Sequence, residues 1–287
     1  MSAFDDAMLA ILAAYVLWYH VLFPPGAVPA PELLPAQRPE WPAPPRRVCG
    51  FRQRSRFAVA SVLFGDAPVM RTYAAALARS VRARVRVDLI LFSDAVKVLP
   101  WRTCAPPDAW PHPQFRKLLA WNLTTYEAVL VLDLDTLVLG NIAPLFDAWP
   151  ARLRAQNASF AAADDQPVHW TPRWAPPAEP RFNAGVLLVL PDPAVFAWLR
   201  DGVARVQYAD DMREQAYLNA ALWRRRAVLP GVYNAMITTA YAEPRTTWAR
   251  LVDEGVRILH FTFPKAHDRD ACAAHYVADI CALWPGD

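Results

Sequence analysis

Between Ala128 and Asn141 the chain reads AVLVLDLDTLVLGN, and two carboxylates one residue apart in that aliphatic run constrain the fold more than any other stretch. The aliphatics demand a buried strand, yet an unpaired carboxylate is too costly to leave inside a sheet. The strand must therefore emerge near Asp133, where something positive meets the acids. If the strand persists to Asp135, both carboxylates point to the same side, because side chains two apart share a face. Ligands of parallel α/β sheets gather at the carboxyl ends of strands. Two carboxylates placed there can hold Mg²⁺ or Mn²⁺ and leave coordination positions for the oxygens of a diphosphate.

The surrounding pattern supplies such a sheet. FAVASVLF, PVMRTYAAALARSV and VRVDLILFSD, from Phe57 onward, read as strand, helix and strand, which is a βαβ unit with parallel strands. Phe115, Leu118, Leu119, Asn122, Leu123 and Tyr126 fall on one face at helical spacing before the strand AVLVLD. Residues 166–180 are rich in Pro and Trp without periodicity and read as a long loop. FNAGVLLVLP reads as a strand, and Asp192-Pro193 as a helix start. A further helix follows in DDMREQAYLNAALW, the last strand is VRILHFTF, and the tail from Asp268 is short helical or irregular chain.

The N-terminus differs in kind. Ala7 to Phe23 is a 17-residue run with no formal charge, at the short end of what spans a bilayer, and it reads as a membrane anchor or signal sequence over 1–23. The Pro-rich residues 24–55 read as a semi-rigid stem, leaving 56–287 as the globular domain. Arg38, Arg46 and Arg47 follow the anchor, whereas Asp5 and Asp6 precede it, a bias against a lumenal domain. The formal charge of +3, from 30 basic and 27 acidic residues, gives no reason to expect nucleic acid as a partner. Four cysteines without a close pair argue against a zinc site and are compatible with one or two disulfides of open pairing. Of two glycosylation sequons, Asn122 lies on the packed face, which leaves Asn157 as the better acceptor.

Phe115 to Asp147, FRKLLAWNLTTYEAVLVLDLDTLVLGNIAPLFD, resembles glycogenin and its relatives in glycosyltransferase family 8, which share a Lys, a Trp, a Tyr and then DxDTLVLxNI. The likeness extends more loosely from about Phe57 to His267. It implies a GT-A, Rossmann-like α/β fold with a mixed, mainly parallel sheet flanked by helices. It also implies a UDP-sugar donor, Mn²⁺ (or Mg²⁺) dependence, and hexose transfer with retention to a glycan, protein or polyol acceptor.

By the same resemblance, Asp133, Asp135 and His260 are the metal ligands, and Lys117 and Lys265 meet the donor phosphates. Asn183 and Ala184 lie near the sugar, with Gly185 beside them. Glu214 and Gln215 match the family's Asp-Gln pair, and Asp211 matches an upstream acid, although it also suits a helix N-cap. An anchor, a stem and a lumenal transferase domain resemble the type II layout of Golgi and other secretory-pathway enzymes. The oligomeric state is open, a homodimer included.

The chain departs from the pattern in three places. Glu214 stands for Asp. Pro68 replaces a tyrosine that packs on the base. In HFTFPKAHD, Phe263 replaces a glycine, and Ala266-His267 replace Pro-Trp, so crowding of the diphosphate loop by Phe263 is expected. Two other readings compete with a transferase. One is a non-catalytic sugar-nucleotide or glycan binder on the same fold. The other is a haloacid dehalogenase-like phosphatase, which also places two aspartates after a strand but wants its hydroxyl or branched residue one position later than Thr136 and its motif near the first strand.

Overall fold

Aliphatic runs too short for buried helices, bounded by turn residues, become strands, and the amphipathic segments between them become helices. The computed structural model describes residue 49 and residues 52–64, 67–93, 98–105, 110–165, 181–206, 213–222, 225–241, 246–275 and 277–284. The strands are β1 Phe57–Val62, β2 Asp88–Phe92, β3 Arg102–Cys104, β4 Ala128–Leu132, β5 Thr136–Val138, β6 Phe160–Asp164, β7 Phe182–Val189, β8 Arg226–Val228, β9 Ala235–Met236 and β10 Ile258–His260. Seven form one sheet in the order β3-β2-β1-β4-β7-β6-β8, and β5-β10-β9 form a second, three-stranded sheet. In the large sheet only β7 runs against its neighbours. The sheet is thus mixed and mainly parallel, as the family resemblance implies.

Helix α1 (Pro68–Arg82) carries the crossover from β1 to β2, and its face of Tyr73, Ala74, Leu77, Ala78 and Val81 is buried. Pro68 occupies its first turn, where its missing N–H costs nothing. Helix α2 (Pro193–Gly202) starts as expected. The Asp192 carboxylate accepts from the N–H of Ala194 at 2.8 Å and of Val195 at 3.4 Å. Helix α3 (Arg213–Leu222) follows. The tail folds into the short helices Arg269–Ala274 and Ala278–Cys281.

One local expectation changes. Pro113–Asn122 is a 3₁₀ helix in which every residue from Phe115 to Asn122 is buried, rather than a helix with one packed face. It is enclosed by β1, β4, α2 and α3. The Asn122 sequon is accordingly buried, whereas Asn157 is exposed with φ 51°. Disulfides join Cys49 to Cys104 and Cys272 to Cys281.

The anchor expected over 1–23 and the stem up to residue 48 lie outside the described residues, as does the loop 166–180. Among the described residues, no helix is long and apolar enough to cross a membrane. Residues 52–55, read as the end of the stem, lie against the domain, where the backbone N–H groups of Arg54 and Ser55 donate to Asp88 at 2.8 and 3.3 Å.

Candidate active site

The acidic pair is presented by a turn and not, as a strand persisting to Asp135 would require, by one continuous face. β4 stops at Leu132 because the Asp133 carbonyl accepts from both the N–H (3.1 Å) and the hydroxyl (2.7 Å) of Thr136. The Asp133 N–H still donates to Gly185 of β7 at 2.9 Å, so the turn stays seated on the large sheet. Thr136 then opens β5, which pairs antiparallel with β10 so that Thr136 faces His260. That register carries the histidine to the turn. Ligating atoms of Asp133, Asp135 and His260 lie within 4.8 Å of one another, and His260 Nε2 is 3.4 Å from an Asp135 oxygen.

The histidine tautomer follows from its partners. The Gly185 N–H donates to Asn183 Oδ1 at 2.9 Å, and Asn234 Nδ2 donates to the same oxygen at 3.0 Å. Asn234 therefore turns its carbonyl to His260 Nδ1, 2.9 Å away, and the imidazole must donate from Nδ1. The lone pair of the neutral ring is left on Nε2, facing the carboxylates. An outer hydrogen bond that fixes the tautomer in this way is usual for metal-binding imidazoles. Gly185 must lack a side chain, because the His260 imidazole fills the space beside it. A Cβ there would stand 2.1 Å from His260 Cε1 and 2.7 Å from Nδ1.

Each carboxylate has a lysine. Lys117 Nζ lies 2.6 Å from Asp133, 2.6 Å from Glu214 and 3.2 Å from the Ala184 carbonyl. The three N–H bonds of an ammonium are thereby engaged, and the residue is 3% exposed. Burial works to lower its pKa, but Asp133 and Glu214 more than offset that and hold it above the usual lysine range. Lys265, by contrast, reaches Asp135 from the surface with a side chain 42% exposed. Burial raises the Asp133 carboxyl above its ordinary range against the opposing pull of Lys117. Asp135 is buried too, yet His260 and Lys265 together hold it below the ordinary range.

Beyond the turn lies a polar network. Gln215 accepts from the Ala184 N–H at 2.9 Å and donates to Asp165 at 3.2 Å, and Asn183 Nδ2 lies 3.4 Å from the other Asp165 oxygen. Asn219 fastens α3 to β7 by accepting from the Phe182 N–H and donating to its carbonyl, both at 2.9 Å. Burial raises the Asp165 carboxyl, while its bonds to Asn183 and Gln215 work the other way. Nine of the ten residues singled out from sequence thus converge here; the tenth, Asp211, lies outside the described residues. Sequence reasoning missed Asp165 and Asn234. Asp165 had a readable signal, a carboxylate directly after the aliphatic strand β6, whereas Asn234 precedes the two-residue β9 and has none.

The departures also have places. The Phe263 ring, 45% exposed, stands edge-on to His275 at 5.3 Å, and its carbonyl accepts from the Tyr241 hydroxyl at 2.8 Å. His267 shares a hydrogen bond of 2.6 Å with the Tyr73 hydroxyl. Glu214 meets Lys117 at 2.6 Å.

Residues 93–265 match the sequence profile of Glycosyl transferase family 8. Galactinol synthase 7 of Arabidopsis thaliana is 26% identical over 167 residues, which is 52% of this chain and 48% of that protein. The chain thus spans about half the length of the curated relatives it matches. Among solved structures, galactosyltransferase LgtC in complex with donor and acceptor sugar analogs superposes with a TM-score of 0.53 at 18% identity, covering 80% of this chain and 97% of LgtC. The bifunctional glycosyltransferase WbbM gives 0.57 at 14% identity, over 82% and 51% of the two chains. These likenesses place the chain in the GT-A fold. With the family profile covering more than half of its length, the chain belongs to glycosyl transferase family 8.

Proposed function

We propose that this protein transfers a hexose from a UDP-sugar to a glycan, protein or polyol acceptor, with retention at the anomeric carbon and with Mn²⁺ or Mg²⁺ held by Asp133, Asp135 and His260. The observation that carries the reading is the convergence of two carboxylates and an imidazole whose tautomer is fixed with Nε2 toward them. Two hard oxygen ligands and one neutral nitrogen suit Mn²⁺. When bound, such an ion neutralises charge on a departing diphosphate. A polyol acceptor is the choice suggested by the galactinol synthase relative.

The chain's own residues divide the remaining work. Lys265 is half-exposed and lies beside Asp135, so it can turn to a diphosphate oxygen as a charge-assisted donor. Lys117 has no N–H to spare and acts as a positioning residue that fixes Asp133 and Glu214. Gln215 is held at both ends of its amide, by Ala184 and Asp165, and orients the edge on which the sugar rests together with Asn183. Asp211 is kept as an acidic group of the same segment. A type II arrangement in a secretory membrane, anchored through 7–23, is part of the same proposal.

The test is hydrolysis of a panel of nucleoside-diphosphate sugars by the full chain with Mn²⁺, beside an Asp135→Asn variant. Slow hydrolysis of one donor that disappears in the variant supports a transferase and names its sugar. Binding of Mn²⁺ and UDP without hydrolysis of any donor would overturn the catalytic reading in favour of a binding protein.

A further inference from the structure

The parallel strands β1, β2 and β4 all run toward the turn at Asp133, so their starting ends form the opposite edge of the sheet. The two edges are separated by five residues of strand, about 16 Å. At this far edge Asp88, 6% exposed, accepts from the Arg54 and Ser55 N–H groups and, at 3.0 Å, from the Tyr126 hydroxyl, with the Arg102 guanidinium 3.7 Å away. Its charge is engaged inside the fold. Beside it runs a groove of about 450 Å³ whose lining includes Arg54, Arg82, Arg86 and Arg102 with the aliphatic Val85 and Val87. Among the described residues, Asp88 is the one acid in that lining.

Arg102 donates to the Arg52 carbonyl at 2.5 Å. Among the described residues the guanidinia of Arg54, Arg82 and Arg86 have no carboxylate partner, and all three side chains are exposed. The local excess is not an accident of these four. Residues 50–102 contain ten basic and three acidic side chains, in a chain whose overall formal charge is only +3. Four guanidinia facing one shared space repel one another, and one internally bonded carboxylate does not balance them.

We propose that this groove is a second ligand site, separate from the transferase centre, for a phosphate group. Guanidinium forks match phosphate oxygens two at a time. A phosphomonoester carries close to two negative charges at neutral pH, roughly −1.5 to −2, where a carboxylate carries one, and four cations favour the more highly charged group. Two sources share this chemistry: a soluble phosphorylated molecule and a phospholipid headgroup. Leu99, 73% exposed and next to the groove-lining Pro100, is an apolar neighbour suited to the second.

The experiment uses the full chain with divalent ions chelated. One arm titrates inorganic phosphate by calorimetry. The other measures the gain in co-sedimentation that phosphatidylinositol phosphate adds over phosphatidylcholine vesicles alone, to which the proposed anchor 7–23 binds in every variant. Both are repeated with Arg82→Gln/Arg86→Gln and with Asp135→Asn. Binding in either arm that weakens at least about tenfold in the arginine variant, from the loss of two charge-assisted contacts, and persists in Asp135→Asn, upholds the site. The arm that responds names the source. Absence of binding in both arms, equal binding by the arginine variant, or loss in Asp135→Asn would overturn it. Donor hydrolysis stays unchanged in the arginine variant, so a failure here is distinct from a failure of the transferase reading.

Discussion

Gly185 has little freedom, because His260 occupies the space its side chain would need. Gly185→Ala should lower stability by about 1–3 kcal/mol through overpacking and weaken Mn²⁺ binding by displacing the imidazole. Urea unfolding and calorimetry with Mn²⁺ measure the two effects, and unaltered metal affinity would show that the ring has room to move. Lys117 is as constrained by charge as Gly185 is by volume. Lys117→Met leaves Asp133 and Glu214 with a lost counter-charge, Glu214 being only 3% exposed, and should cost about 3–5 kcal/mol. Adding Glu214→Gln should return part of that loss in the same urea experiment. A double variant no more stable than the single would mean that the buried pair is not the source of the cost.

At the scale of elements, the decisive feature is the turn between β4 and β5. Thr136→Val removes the hydroxyl that bonds the Asp133 carbonyl at 2.7 Å and should cost about 1 kcal/mol, with weaker Mn²⁺ binding if the turn loosens. A variant with wild-type midpoint and wild-type metal affinity would assign the turn to its backbone alone. The strands β1, β2, β4 and β7 were legible as aliphatic runs, and the helix start at Asp192 as a cap followed by proline. The turn was not, because acids two apart suit an extended strand as well as a turn, and the choice is made by the distant pairing of Thr136 with His260. The 3₁₀ helix Pro113–Asn122 was hidden for a related reason. Burial on all sides comes from the strands and helices around it, whereas periodicity reports only one face. Asp133, Asp135 and His260 could be grouped through an ordered motif; Asn234, which sets the imidazole tautomer, belongs to no pattern that spacing can reveal.

For the molecule as a whole, the link between the centre and the C-terminal tail predicts a pH response. Burial raises the Tyr73 hydroxyl to about 12, against the effect of its hydrogen bonding near His267. An unfolded tyrosine ionises near pH 10, so the native state binds this proton more tightly. Stability from this group is complete below about pH 10 and falls as pH rises toward 12. Melting temperatures across that interval should decline less steeply for Tyr73→Phe, and parallel curves would remove Tyr73 from the account. Tyr73 also packs against Trp284, with ring centroids 4.5 Å apart and planes tilted by 58°, and the tail before Trp284 is closed by the Cys272–Cys281 bridge. The large sheet ends, at its two margins, in β3 and β8, each only three residues long, and β3 is stapled through Cys104 to Cys49. Among the described residues, strand edges this short offer little backbone for another chain to zip onto, which guards the large sheet against runaway extension.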